Sequence, residues 1–404
     1  MKVLFLMTQS LDRPGGVGRF FPFAKALVQA GHSVEIVTIH QNYQSLKTKQ
    51  FEKEGIQVRY VGQMHILQQD SGKTYFSPGK LLYIVALATL KLTWQAVRSD
   101  AQIIQVCKPQ PMNCVAAWVA RFLSFGRKQI FIDCDDYEAG NNRFSGGWQQ
   151  KIVSWFEDRS PKRAKIVFTG NRFISNHFES LGYPADRFTV VHNGVDKERF
   201  AVLDQPDLAK KLAEVRATIP FPADDHLVIY VGSISLTSHA LDLLIEAFTQ
   251  LATERDDVNL LIAGSGEDFD LIQTLIKQND LTARVKMLGR VDSSLIPLYF
   301  NVADISVDPM HRSIAAESSV SMKMLESIAA GTPCVTTDIG DRKALGAQSV
   351  RTVPPDDPAA LAQMLSHLLD HPAELDAMKR AAASEKERHF WENKVQSLLP
   401  LYEK

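Results

Sequence analysis

Seven short β-rich, mostly apolar runs, separated by longer helical patterns, occupy the first half of the chain: Val3–Met7, Ser33–Ile39, Gln57–Val61, Ile103–Val106, Gln129–Ile132, Lys165–Phe168 and Thr189–Val191. Five more follow: Leu227–Val231, Asn259–Ala263, Val285–Leu288, Ile305–Val307 and Cys334–Thr336. A strand wet on one face alternates polar and apolar residues along its length, whereas most of these runs place apolar residues side by side. They predict strands covered on both faces, as in parallel sheets. Alternation with helices predicts a doubly wound α/β fold. The pattern restarts after Asp204–Asp225, a charged stretch with Pro206, Pro220 and Pro222 that reads as a linker. A chain of 404 residues also exceeds what one core supports. The expectation is two Rossmann-like doubly wound parallel-sheet domains, 1–200 and 201–384, facing a central cleft, with ligand at the carboxyl ends of the strands.

Several classes drop out. The four cysteines, Cys107, Cys114, Cys134 and Cys334, form no CxxC pair, which argues for a reducing compartment without disulfides or zinc. Met1–Met7 is apolar but brief and reads as a first strand rather than a signal peptide. The net charge of −1 hides an asymmetry: residues 1–195 carry 24 Lys and Arg against 14 Asp and Glu, and the remainder 21 against 32. A basic half predicts either an anionic partner (membrane surface, lipid-linked phosphate or polyanionic acceptor) or attraction between two domains. Nucleic acid is not expected. Leu81–Leu90 is nearly all apolar, with Lys80, Lys91, Arg98 and Trp94 around it. Ten residues are too few to span a bilayer. A helix buried on the first sheet is the preferred reading, and an interfacial helix with basic anchors is the alternative.

Chemistry-bearing residues sit where strands end. After Val3–Met7 come Pro14, Gly15, Gly16 and Gly18, then a helix from Arg19 to Ala30. Clustered glycines before a helix let backbone amides approach a phosphate. The dinucleotide fingerprint fails, because Phe21 stands where its last glycine belongs. That disfavours a nicotinamide-dependent oxidoreductase. Asp133-Cys134-Asp135-Asp136-Tyr137-Glu138 places four acids in six residues after Gln129–Ile132, with Lys108 after another strand. Such a cluster can bind sugar hydroxyls, accept a proton or hold a hard cation, and an acidic loop that only caps helices is the alternative. Leu325-Glu326-Ser327-Ile328-Ala329-Ala330-Gly331-Thr332-Pro333-Cys334-Val335 reads as a helix stopped by glycine and proline, with one acid among apolar neighbours.

That last run resembles the donor-site helix of glycosyltransferase family 4, the retaining sugar transferases of GT-B fold. The Gly15–Arg19 loop, Val191–Asp196, Leu261–Glu267, Met287–Val291 and Phe390-Trp391 with Tyr402 are similar to its other blocks, in order. The resemblance implies a hexosyl transfer from a nucleotide sugar to a glycan, lipid-linked or small-molecule acceptor. No cofactor or metal is implied, and the setting is cytoplasmic polysaccharide or glycolipid synthesis, with peripheral membrane contact. A terminal helix, 385–404, would cross back onto the first domain. Donor contacts would come from Gly15, Gly16, Gly18, Gly232, His239, Gly264, Glu267, Arg290, Val291, the amides of Ser321 and Met322, Lys323, and Glu326 on the ribose. Arg19, Lys108, Asp133 and Glu138 would lie on the acceptor side, with Asp135 and Asp136 as candidate catalytic groups.

The departures bear on mechanism. The family's paired glutamates would put an acid at 318, where Ser318 stands, with Glu317 one residue off. Its diphosphate-binding Arg and Lys correspond to Ser233 and His239-Ala240. Fixed cations lower the barrier to a departing diphosphate. Lys323, Arg312, Arg19 or a protonated His239 could replace them. Without a replacement, the alternative is a catalytically impaired relative acting as a partner subunit.

Overall fold

The computed structural model describes residues 1–12, 16–69, 72–141, 144, 146–236, 239–346 and 348–403. Two compact units emerge: Met1–Asn193 together with Trp391–Lys404, and Gly194–Phe390. The division falls before the boundary expected at 200. The stretch read as a linker instead contains the helix Leu208–Ala217, and Leu208, Leu212, Val215 and Ile219 pack into the core of the second unit.

In the first unit the strands are β1 (Lys2–Leu6), β2 (Ser33–His40), β3 (Gln50–Lys53), β4 (Ile56–Gln63), β5 (Ile66–Gln69), β6 (Gly72–Tyr75), β7 (Ile103–Cys107), β8 (Gln129–Cys134), β9 (Ile166–Thr169) and β10 (Phe188–Val190). The main sheet runs β10-β9-β8-β7-β1-β2-β4-β3, parallel except for the antiparallel edge pair β3–β4. β5 and β6 form a separate hairpin. β3, β5 and β6 are absent from the sequence reading because they carry no continuous apolar run. Buried Leu4, Leu6, Val37 and Ile132 cover one face, and Phe5, Phe23, Phe131 and Phe168 the other. Trp391 stacks on Phe23 with ring centroids 5.4 Å apart, which fixes the terminal helix Trp391–Glu403 to this second face.

In the second unit β11 (His226–Val231), β12 (Val258–Ala263), β13 (Val285–Gly289), β14 (Ile305–Asp308), β15 (Cys334–Thr337) and β16 (Val350–Val353) form a wholly parallel sheet, ordered β13-β12-β11-β14-β15-β16. Strand order reverses between β11 and β14 here, and between β1 and β7 in the first unit. At such a reversal the connections leave in opposite directions, so a crevice opens beyond the carboxyl ends of the two strands. Each unit therefore has a topologically defined place for chemistry.

Candidate active site

At the reversal in the first unit, Lys108 follows β7 with φ 71°, a left-handed conformation uncommon for a side chain with a Cβ. Its ammonium lies 3.2 Å from Asp135, 2.9 Å from Asp136 and 2.6 Å from Glu138. Gln110 donates to the other Glu138 oxygen at 2.6 Å and accepts from Thr8 at the end of β1. Burial works against charge on Lys108, but the three carboxylates outweigh it and hold the ammonium protonated. The cluster Asp135, Asp136 and Glu138 has the spacing of a metal site, yet a cation already stands at its focus. Burial, with Asp136 and Glu138 nearby, pushes the Asp135 carboxyl up to about 7 against the pull of Lys108. Glu157, on the helix Gly147–Arg159, accepts the backbone N–H of Glu138 at 2.9 Å and of Ala139 at 3.0 Å, so it anchors this acidic loop from behind. Burial pushes its carboxyl up to about 8.

Arg19 and Asp133 do not face an acceptor. Both are buried, and Arg19 donates to the two Asp133 oxygens at 2.7 to 3.2 Å. Its remaining hydrogen bonds go to the Val191 carbonyl and Asn193, and its guanidinium lies 5.5 Å from the Trp391 ring centre. The pair is a structural clasp joining the glycine loop, the end of β8 and the terminal helix. Glu138 is likewise buried behind the loop. Gly15 and Pro14 lie outside the described residues. Gly16 opens a π-helical turn, Gly16–Phe20, that precedes the helix Phe21–Gln29; a Cβ on Gly16 would sit 2.3 Å from the Ser10 carbonyl oxygen. Gly18 has open space around it.

At the reversal in the second unit, Asp308 ends β14 and is fully buried. Burial disfavours its charge, but Lys323 at 3.0 Å, Arg342 at 3.7 Å and the Ser321 hydroxyl hold its carboxyl well below the usual range. The Lys323 stem passes directly over Gly232 at the end of β11, where an added Cβ would meet Lys323 Cε at 2.4 Å. A side chain at 232 would push the end of Lys323 aside. Lys323 also donates to His239 Nδ1 at 3.1 Å. Burial and this neighbouring ammonium push His239 down to about 4, so His239 is a neutral acceptor, not the protonated group entertained from sequence. Ser321 caps the helix Met322–Ala329 by accepting the Met324 N–H at 3.2 Å. The first helix amides, which have no intrahelical acceptor, and the Lys323 ammonium therefore share one end of the helix.

The other candidates divide by location. Gly264 follows β12 and Arg290 with Val291 follows β13, all at the carboxyl edge of the sheet. Exposed Glu267 accepts from Ser235 at 3.0 Å. Glu326 is engaged by Arg199 of the short helix Lys197–Phe200. Arg312 is paired with Glu317 at 2.8 Å, and Glu317 also accepts the Gly340 N–H. Of the cations considered as replacements, Arg19 is closed in its buried pair, Arg312 is paired with Glu317 and His239 is neutral; Lys323 is paired as well, with Asp308, but it stands at the switch point of the second sheet. The sequence reading missed Asp308, Arg342, Arg199 and Glu157. For Asp308 a signal existed: an acid closing an apolar run marks the carboxyl end of a strand, where ligands bind.

The architecture and the two switch-point sites define a GT-B glycosyltransferase fold. The Anabaena protein HepE in complex with UDP superposes with a TM-score of 0.74 at 17% identity, over 100% of both chains. Sucrose-phosphate synthase from Thermosynechococcus elongatus gives 0.74 at 16% identity, over 100% of this chain and 98% of that one. Residues 15–194 match the Glycosyl transferase 4-like domain, and residues 225–371 match Glycosyl transferases group 1. The chain belongs to glycosyltransferase family 4. Among curated relatives, the D-inositol 3-phosphate glycosyltransferase of Streptomyces avermitilis is 28% identical over 59% of this chain and 53% of its own length. The phosphatidylinositol N-acetylglucosaminyltransferase GPI3 subunit of Saccharomyces cerevisiae is 22% identical over 81% of this chain and 65% of its own. The chain spans about half the length of the first curated relatives it matches.

Proposed function

We propose that this protein is a retaining glycosyltransferase that moves a sugar from a nucleotide-sugar donor to a glycan, lipid-linked or small-molecule acceptor. One observation carries the reading: Lys323, pinned by Asp308 and threaded over Gly232, puts a fixed cation at the switch point of the second unit, at the N-terminal end of the helix Met322–Ala329. In the transfer, the bond from the anomeric carbon to the leaving phosphate breaks and the bond to the acceptor oxygen forms on the same face. The acceptor proton passes to the departing diphosphate. Lys323 and the amides of Ser321 and Met322 would stabilise the charge that grows there. The chain's own groups then suffice without a cofactor or metal, in a cytoplasmic setting.

The complex of the Anabaena protein with UDP makes UDP-sugars the first donors to test. A thermal-shift screen of UDP-, GDP-, ADP- and CMP-sugars checks the reading, because a bound ligand raises stability by RT ln(1 + [L]/Kd). Binding followed by turnover supports a transferase; binding without turnover favours the partner-subunit alternative; no shift with any of them overturns donor binding. The names of the two relatives above include an inositol phosphate and a phosphatidylinositol. An anionic, lipid-linked acceptor accords with the basic first half of this chain, and with it we propose peripheral contact with anionic membrane.

Two predictions belong here. Glu326→Gln is expected to weaken nucleotide binding by about 1–3 kcal/mol, since a charged hydrogen bond to the ribose would be lost. Isothermal calorimetry gives the answer, and an unchanged Kd removes Glu326 from the donor site. For Asp135, a carboxyl pushed up to about 7 loses its proton only as pH rises through that value. If its ionised form assists the acceptor, wild-type kcat climbs between about pH 6 and 8. Asp135→Asn flattens that limb and lowers kcat while leaving donor Kd in place. A mutant with the wild-type profile refutes the role.

A further inference from the structure

The helix Pro78–Arg98 was expected to be buried; only one of its faces is. Ile84, Ala88, Leu92 and Ala96, spaced by four, pack onto the first sheet. The opposite stripe, Leu82, Tyr83, Leu87, Leu90 and Trp94, points away from the protein, with Leu82 and Leu90 67% exposed and Trp94 58%. Among the described residues this is the one helix long and apolar enough to cross a membrane. Its buried stripe, however, is part of the fold, so the helix is placed to lie on a surface rather than to span one.

Exposed apolar residues also stand on two neighbouring helices. In the helix Pro111–Leu123, packed beside Pro78–Arg98, Phe122 of the last turn is 79% exposed, and Phe125 in the turn that follows is 90% exposed. Phe125 holds φ 53°, a conformation that costs energy for an aromatic residue and leaves its ring in solvent. Next to it, the helix Gly147–Arg159 turns Glu157 inward and presents Trp148, Ile152 and Trp155 on its far side. Water would not retain three such stripes on adjacent helices without cost.

The charge around these stripes identifies the occupant. Residues 72–99 and 109–132 contain no Asp or Glu. Lys80, Lys91 and Arg98 line one flank of the first stripe, and Arg127 and Lys151 stand by the other two. Two cations lie over exposed rings: Arg98 is 5.1 Å from the Trp94 ring centre and Arg159 is 5.0 Å from that of Trp155. Apolar residues flanked by tryptophan, tyrosine and basic side chains match a bilayer interface, with rings at headgroup depth and cations on phosphate.

We infer that the outer face of the helices Pro78–Arg98, Pro111–Leu123 and Gly147–Arg159 docks the first unit onto an anionic lipid bilayer. The inference rests on the reading of a lipid-linked acceptor for its purpose, and on the exposed stripes for its geometry.

Co-sedimentation with vesicles of phosphatidylcholine alone, and of phosphatidylcholine with phosphatidylglycerol, tests it at low and high salt. Wild-type protein is expected on the anionic vesicles, with less bound at high salt. Leu90→Glu with Trp94→Glu, and separately Phe125→Ser, should each lower the bound fraction by about tenfold or more. Their melting temperatures and thermal shifts with UDP should match wild type. Three results overturn the inference: no wild-type binding to anionic vesicles at low salt, equal binding to both vesicle types, or undiminished binding by the Leu90→Glu/Trp94→Glu protein. A dimer that this double variant dissolves would also overturn it, assigning the face to a second copy of the chain. Turnover of a nucleotide sugar on a soluble acceptor without vesicles is read separately, so docking and transfer can fail independently.

Discussion

Replacing Lys323 with methionine is expected to lower turnover by about a hundred- to a thousand-fold, the usual cost of removing one fixed group from the site of developing charge. Methionine keeps most of the stem that passes over Gly232 and removes the ammonium. The effect should concentrate in kcat, because charge on the leaving diphosphate is greatest as the glycosidic bond breaks. Lys323→Arg should not rescue, since a branched guanidinium is bulkier than the ammonium it replaces in the narrow passage between Gly232 and Asp308. Steady-state kinetics with the donor found in the screen decides the matter. A methionine variant within about threefold of wild type, well under the loss normally seen for such a group, would move the diphosphate away from this switch point.

The second large effect is on stability. Asp308→Asn should destabilise the protein by about 3–5 kcal/mol, because it leaves like charges uncompensated in the interior. Arg342 is buried, and the Lys323 side chain is only 14% exposed. Without the carboxylate they stand across the same small space with no anion between them. The Asp308 carboxyl is held below the ordinary carboxylate range, so its stabilisation is complete above the unfolded value near 4 and is lost only as pH falls through the folded value. The difference between variant and wild type should therefore be flat from about pH 5 to 8. Urea denaturation at several pH values measures it. A difference under about 1 kcal/mol would show that the ion triad is not holding the second unit together. Asp308→Asn should also release Lys323, so any turnover loss beyond that of the methionine variant reports misplacement rather than missing charge.

Much of the fold was legible from sequence. Continuous apolar runs such as Leu227–Val231 and Leu260–Ala263 lie inside parallel strands, because a strand covered on both faces needs apolar residues on both. Elements lacking that signature escaped: β3 and the β5–β6 hairpin are polar and lie off the parallel core, and β16 is short. The helix Leu208–Ala217 escaped because flanking prolines and charges resemble a linker, while its apolar residues find their partners only in the folded unit.

The candidate site was legible as a set of positions, not as pairings. Glycines and acids at strand ends stand out in one dimension, because a turn needs the former and an apolar run makes the latter conspicuous. Arg19 meeting Asp133, Arg199 meeting Glu326 and Lys323 meeting Asp308 required the fold to bring helices and strand ends distant in sequence together. That step divided the charged residues into a structural clasp, a switch-point cation held by Asp308 and a neutral histidine, three fates that composition cannot separate. The same holds for Leu81–Leu90. A segment apolar all round has no periodicity to say which side is covered, so the sequence determined that it is a helix and left both faces equivalent. Packing chose Ile84, Ala88, Leu92 and Ala96 for the sheet, and by that choice alone left Leu82, Leu90 and Trp94 in water.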